Sequence, residues 1–445
     1  MEWVKIVVDI IQHQIEGLKV DLRFIDLFAG MGGTRIGFEQ ACHELNIKPK
    51  CVFSSEVKKH AISIYEHNFG ETPRGDITKI SSNEIPDFDY LIGGFPCQAF
   101  SIAGKRLGFD DTRGTLFFEI ARILKEKKPQ GFLLENVEGL VTHPQKRKNK
   151  NIGKTLETIL NTLSDLGYKT TWKVLDASEF GVPQKRKRIY IVGHLTKSVN
   201  LENFINNKVL IGDILEKNLP CEMTYFKSLL LTKYSLSELE GKKIKDKRGG
   251  DENIHSWDIE IKGKVTQIQK DILNSLLKAR RQKKWANVIG IDWMDGMPLT
   301  LQQIFTFFNK IPITKLENEL NDLEKKGYLK LEYPKKLITE NGTKKRVYDE
   351  SKPKGYNIVT GKLSFEINEI FDRKSISNTL VATEMDKIAV TDIDGIRNLS
   401  ERECLRFFGF PNNFKVNIDR NKLYDLIGNT VVVPVIKEVA IRLLK

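Results

Sequence analysis

Cysteine is scarce in this chain: five in 445 residues, at positions 42, 51, 97, 221 and 404, with no C-x-x-C pair. An odd, scattered set argues against a disulfide framework and a structural zinc site, and it points to a reducing cytoplasm. Long apolar runs are missing too. Nothing approaches the roughly 20 apolar residues that span a bilayer, so no membrane role is expected. The opening Trp3-Val4-Lys5-Ile6-Val7-Val8-Asp9-Ile10-Ile11 is broken by charges and lacks a small-residue cleavage site. It reads as a helical extension over 1–22, not a secretory signal. There is no internal repeat, and the one low-complexity feature is the basic run Lys146-Arg147-Lys148-Asn149-Lys150.

Positive charge, by contrast, is abundant. Lysine and arginine number 71 against 58 acidic residues, a net charge of +13. That balance favours a polyanionic partner without saying which one. The length predicts two lobes, or one domain with a large insertion. From 23 to about 193, short apolar runs (Phe24-Ile25-Asp26-Leu27-Phe28, Tyr90-Leu91-Ile92, Phe132-Leu133-Leu134, Ile189-Tyr190-Ile191-Val192) alternate with helical patterns at 115–125 and 155–166. The alternation predicts an α/β fold, a mostly parallel sheet with helices on both faces. After about 195 lysine-rich segments replace that rhythm. Two short helices over 299–308 and 314–326, followed by a strand at 327–331, read as a winged-helix element over 299–335. Regular structure returns from about 375.

Several residues sit where an open α/β sheet binds ligands, at the carboxyl ends of strands. The first strand runs into Phe28-Ala29-Gly30-Met31-Gly32-Gly33, a glycine loop that lets backbone approach a ligand. Arg35 stands where a dinucleotide fingerprint has its third glycine, so a nicotinamide oxidoreductase is disfavoured. Taken alone, the loop is as well explained by a tight turn. Glu56 closes the second strand, where a carboxylate can bind ribose hydroxyls, and Asp76 lies near the next strand end. Cys97, in Gly94-Phe95-Pro96-Cys97-Gln98, occupies a loop, an unusual place for an inert cysteine. Glu135, in Glu135-Asn136-Val137, ends another strand. In Gln184-Lys185-Arg186-Lys187-Arg188 the period of two puts Gln184, Arg186 and Arg188 on one face.

In this order, Phe-x-Gly-x-Gly, Pro-Cys-Gln, Glu-Asn-Val and Gln-x-Arg-x-Arg strongly resemble the motif series of the C5-cytosine DNA methyltransferases. The closing Gly428-Asn429-Thr430-Val431-Val432-Val433-Pro434 resembles that family's last motif. The resemblance covers about 23–193 and 375–445. It implies a Rossmann-like S-adenosylmethionine-dependent methyltransferase sheet, with a smaller target-recognition domain inserted before the C-terminal motifs. The expected boundaries are 23–195 for the catalytic domain, 196–370 for target recognition and 371–445 for the return. The resemblance also implies an S-adenosylmethionine pocket lined by Phe28, Gly30, Gly32, Glu56, Asp76, Pro96 and Asn429, with Val57 and Ile77 flanking the adenine. Cys97 is implied as nucleophile, Glu135 as the contact to cytosine N3, and Arg186 and Arg188 as stabilisers of the ring and the thiolate region.

The chemistry agrees with those roles. Cytosine C5 is too weak a nucleophile to take a methyl group directly, and thiolate addition at C6 makes it an enamine carbon. An acid at N3 and a cationic surround favour that addition. The base must leave the stack to be reached, and 99–112 reads as a mobile lid. The expected substrate is a specific double-stranded DNA sequence, methylated by a monomer that acts beside a separate restriction endonuclease. The nearest rival is a tRNA cytosine-C5 methyltransferase, but that group's Cys-Phe-Thr tripeptide is absent, and Cys221 is followed by Glu222. A DNA-binding regulator without catalysis would need neither Pro96-Cys97-Gln98 nor Glu135-Asn136.

Overall fold

The computed structural model describes residues 21–95, 116–143, 152–247, 253–290, 296–340, 343–360 and 365–445. Pro96, Cys97, the expected lid over 99–112 and the basic run at 146–150 lie outside the described residues. So does the expected N-terminal extension, apart from Asp21 and Leu22, which begin the first strand. The chain divides into two compact units. One comprises 1–215, 374–385 and 400–445, and the other 216–373 and 386–399.

The first unit is built on six strands: β1 (Asp21–Leu27), β2 (Lys48–Ser55), β3 (Tyr90–Gly94), β4 (Gly131–Val137), β5 (Lys169–Asp176) and β6 (Lys187–His194). Their order in the sheet is β2-β1-β3-β4-β6-β5. Neighbours from β2 to β4 run parallel, and β6 is antiparallel to both β4 and β5. Connecting helices are α1 (Gly33–Glu44), α2 (Lys59–Phe69), α3 (Leu116–Lys127) and α4 (Lys154–Asp165). Central strands buried on both faces read as continuous apolar runs. That is why Phe132, Leu133 and Leu134 of β4, and Leu91 and Ile92 of β3, have no exposed surface. Helices α3 and α4 add Ile120, Leu124, Leu156 and Ile159 to the same core. The chain moves outward from β1 to β2, then crosses back to β3 on β1's other side. This is a topological switch point, with its crevice at the carboxyl ends of β1 and β3. Helix Val433–Leu444 closes the unit, burying Val433, Ile436, Val439 and Leu443.

In the second unit, strands β7 (Lys243–Ile244) and β8 (Asn253–Ile254) precede the helices α5 (Gln267–Ala279), α6 (Leu301–Phe305) and α7 (Ile313–Lys325). Strand β9 (Leu329–Glu332) follows, then the pair β10 (Lys335–Glu340) and β11 (Thr343–Tyr348), and then β12 (Gly355–Ile358). Ile272, Leu276, Leu299, Leu316, Leu320, Leu329 and Ile358 form one of its cores. A second core lies under a five-stranded sheet in which β13 (Glu369–Ile370), β14 (Ile388–Asp392) and β15 (Gly395–Asn398) join β7 and β8.

Both limits of the insertion differ from those expected. The residues after 195 remain with the first unit because backbone bonds hold them there. Asn207 N–H donates to Glu179 O at 2.8 Å, Gly181 N–H to Asn207 O at 2.7 Å and Ile211 N–H to Ser375 O at 3.1 Å. The break falls after Leu215. At the other end the chain returns at 374, yet 386–399 go back to the second unit, because β14 pairs with β13 there.

Candidate active site

The loop after β1 bends sharply. Phe28 (φ 56°), Gly30 (φ 53°) and Gly32 (φ 85°) all occupy left-handed backbone. For a bulky aromatic such as Phe28 this is a true outlier, costing about 1–3 kcal/mol, and strain of this kind clusters at ligand sites. Gly32 caps α1, and a Cβ there would lie 2.3 Å from the Phe69 ring, so only glycine fits. Beside Gly30 a Cβ would meet no described residue within 4 Å. The loop is pinned from β2: Glu56 Oε2 accepts from Gly30 N–H at 2.8 Å, and Oε1 accepts from Val57 and Lys58 N–H at 2.8 and 2.9 Å. A carboxylate has about four lone-pair sites, so one acceptor position remains.

The other expected pocket residues are less uniform. Val57 is 64% exposed, whereas Ile77 is 2% exposed and belongs to the core under the sheet. Asp76 stands at no strand end. A single bridge between Ser55 and Arg74 is all the pairing there, and Asp76 caps the short turn Ile77–Lys79. Its Oδ1 accepts from the Thr78 hydroxyl at 2.8 Å and from Thr78 N–H at 3.1 Å, which holds the carboxyl below its ordinary range. Asn429 is exposed at the end of helix Arg420–Asn429 and donates to Asp425 O at 2.7 Å. Asp425 also pairs with Lys58 at 2.9 Å, two residues beyond Glu56. The next residues, Thr430 and Val431, lie 3.1 and 3.0 Å from where a Gly33 Cβ would stand. The last motif thus packs against the first.

At the end of β3, a Cβ on Gly94 would come within 3.3 Å of Glu135 Oε2, so the glycine leaves room for that carboxylate. Asn136 Nδ2 donates to Phe95 O at 2.9 Å, fixing the stem of the segment that leads to Cys97. Glu135 is 9% exposed, and its Oε1 lies 3.2 Å from Arg188 Nε. Burial raises its pKa, opposed by the guanidinium groups of Arg188 and Arg186. Arg186 is more deeply set. It donates to Leu380 O, Gly428 O and Thr430 O at 3.0 to 3.3 Å, and its guanidinium lies over the Phe408 ring. Its Nε–H has no partner among the described residues, and burial pushes its pKa down to about 10. Gln184, fully buried, donates to Phe407 O and accepts from Leu380 N–H, each at 3.0 Å.

Comparison with known proteins decides the family. The model for "C-5 cytosine-specific DNA methylase" matches residues 22–445. The chain belongs to that family. It is 56% identical over 424 residues to "Type II methyltransferase M.NlaIV" of Neisseria lactamica, covering 95% of this chain and 99% of that protein. It is 39% identical to "Type II methyltransferase M.BanI" of Aneurinibacillus aneurinilyticus, over 94% of each. A solved structure of a putative prophage-encoded DNA modification methyltransferase (E. coli) aligns with a TM-score of 0.46 and 20% identity, over 95% of this chain and 98% of that one.

As a DNA (cytosine-5-)-methyltransferase, the protein belongs to a family that depends on S-adenosylmethionine. The residues at the β1 and β2 ends fit such a cofactor. Among the described residues, open space flanks Gly30, an apolar Val57 surface is exposed, and Glu56 keeps one free acceptor position beside them. The period of two along Gln184, Arg186 and Arg188 is real but divides by partner. The first two reach backbone carbonyls of the C-terminal segments, and Arg188 reaches Glu135. The roles of Asn136 and Gln184 as buried ties escaped sequence reasoning. For Asn136 an amide inside an apolar strand was the available signal, since it must find partners there; Gln184 precedes β6 in a basic run and gave none.

Proposed function

We propose that this methyltransferase modifies C5 of a cytosine flipped out of a specific duplex DNA sequence, with Cys97 as covalent nucleophile. The observation that carries the reading is the Glu135–Arg188 pair, beside the β3 stem that Asn136 ties down one residue before Pro96-Cys97. Protonated Glu135 donates to N3 of the cytosine. That draws electron density from C6 and eases addition of the Cys97 thiolate. The cations Arg186 and Arg188 favour the thiolate, and Arg186, fixed by three carbonyls, keeps one N–H for the site. Bound S-adenosylmethionine supplies the electrophilic methyl group that the activated C5 takes up. Removal of the C5 proton then lets Cys97 leave. Phe28, Gly30, Gly32, Glu56, Val57 and Asn429 would hold the cofactor, with Pro96 shaping its inner wall. Asp76 would present its outer oxygen, and Ile77 backs the pocket from the core.

The second unit serves target recognition in this reading. The named relatives are type II methyltransferases, so the natural role is protection of cytoplasmic DNA, as a monomer, against a separate endonuclease. Bisulfite sequencing of DNA from cells expressing the protein tests the reading. Methylated cytosines in one recurring sequence are expected, and none with Cys97→Ser. Methylation scattered without sequence context would contradict it.

A further inference from the structure

The second unit holds an element that its own core does not explain. Strands β10 and β11 pair over six positions, from Lys335 opposite Tyr348 to Glu340 opposite Thr343. Strand β10 is exposed at every position but Ile338, and Thr343, Lys345, Arg346 and Tyr348 of β11 are exposed as well. An isolated two-stranded ribbon is marginally stable in water, and this one packs no face into an apolar cluster of the described residues. Its composition is lopsided. Lys335, Lys336, Lys344, Lys345 and Arg346 stand against one carboxylate, Glu340.

The register sorts these charges. Lys336 pairs with Asp349 at 3.1 Å and Lys345 with Glu340 at 3.7 Å, both on one face. The other face carries Lys335, Leu337, Thr339, Arg346 and Tyr348. Lys335 Nζ lies 4.9 Å from the Tyr348 ring centre, an interaction that keeps its charge available. Six residues of strand span about 20 Å, and the major groove of B-DNA admits a two-stranded ribbon.

The surroundings give the ribbon a context. It is framed by β9 and β12, which pair antiparallel, while Leu299 exchanges two backbone bonds with Tyr356. Helix α5, the Leu299 bridge, α6, α7, β9, the ribbon and β12, with one short extra helix (Lys283–Ile289) after α5, come in the order of a winged-helix unit, longer than the stretch 299–335 expected from sequence. In helix-turn-helix relatives of that arrangement the second helix of the pair enters the groove. Here that helix is α7, and its exposed positions balance Lys315 and Lys325 against Glu317 and Glu324. Its Glu319 and Asp322 are engaged by Gln269 of α5.

We infer that the β10–β11 ribbon is the DNA-binding wing of this unit. Its Lys335–Arg346 face lies on the phosphates, and α7 is not the principal contact. The inference rests on the proposed methylation of duplex DNA. The test uses the full-length protein, a labelled duplex carrying the methylated sequence, and a non-cognate duplex. One variant is Lys335→Gln with Arg346→Gln, and the control is Lys315→Gln with Lys325→Gln. Each cation removed from a phosphate should lower the slope of log affinity against log salt by about 1, so the ribbon variant should fall by about 2 on both duplexes. KM for DNA should rise, with kcat at saturating DNA unchanged. The helix variant should match wild type. An unchanged slope in the ribbon variant, or an equal fall in both variants, would overturn the inference. Wild-type methyl transfer measured alongside keeps the reading separate, since the wing can fail while methylation persists. Equal thermal midpoints would show that folding is not the cause.

Discussion

The two units handle charge in opposite ways. In the first, Arg186 and Arg188 are sunk into structure. Arg186 is 3% exposed and donates to three backbone carbonyls, and Arg188 is held against a buried carboxylate. In the second, Lys335, Lys336, Lys345 and Arg346 of the ribbon are exposed, on a strand pair that joins no apolar cluster of the described residues. A buried charge removed leaves its partners unpaired and costs the full desolvation of those groups. An exposed charge removed costs one screened attraction. On the proposed function the first unit is arranged for chemistry, where one altered group stops the reaction. On the inference drawn above the second is arranged for adhesion, where losses are small, additive and dependent on salt.

The sharpest way to break this comparison is at Glu135. Glu135→Ala removes the group proposed to donate to N3 and strands Arg188, and general acid catalysis contributes about 10²–10⁴-fold. A kcat loss in that range is expected, measured by methyl incorporation at saturating DNA. The pH profile carries the sign. Burial raises the Glu135 pKa, so the protonated form persists above the ordinary carboxyl range and activity should fall as pH rises through the raised value. Glu135→Gln donates without titrating, and should flatten that limb while retaining part of the rate.

A smaller effect is expected at Arg186. Arg186→Ala orphans Leu380 O, Gly428 O and Thr430 O, at about 1–3 kcal/mol for each buried group left without water. Its thermal midpoint should drop by several degrees. A midpoint equal to wild type would show that the C-terminal motif does not depend on this tie.

Smaller again is the effect at the cofactor loop. Glu56→Ala loses a charge-assisted bond to Gly30 N–H and the remaining acceptor site. That is worth about 1.5–3 kcal/mol, or roughly tenfold to a hundredfold in S-adenosylmethionine affinity by calorimetry. Unchanged affinity in a folded variant would remove Glu56 from the pocket.

Legibility in the sequence follows the same division. Strands β1, β3, β4 and β6 are readable because strands buried on both faces are continuous apolar runs, and the motifs at their ends carry residues that no core requires. Ile77 and Asp76 are harder. The family resemblance places them at the pocket, but only packing shows that Ile77 faces the core and that Asp76 is committed to Thr78. The limits of the insertion are not legible, because Asn207 and Ile211 are held by backbone bonds that leave no trace in side-chain pattern. The ribbon does carry a signal. Asn341-Gly342 between Lys335–Glu340 and Thr343–Tyr348 is a strong short-range mark of a hairpin. The lysines obscure it, since neither face alternates apolar with polar.

The central claim, that Cys97 attacks the base, has a direct measurement. Duplex DNA in which the target cytosine carries fluorine at C5 blocks release, because fluorine cannot depart as a cation. Wild-type protein with S-adenosylmethionine should form a complex that survives denaturing electrophoresis, and peptide mapping should place the adduct on Cys97. Cys97→Ser should form none, a serine hydroxyl being a far weaker nucleophile at neutral pH. An adduct mapped to Cys42, Cys51, Cys221 or Cys404, or a stable complex formed by Cys97→Ser, would contradict the account.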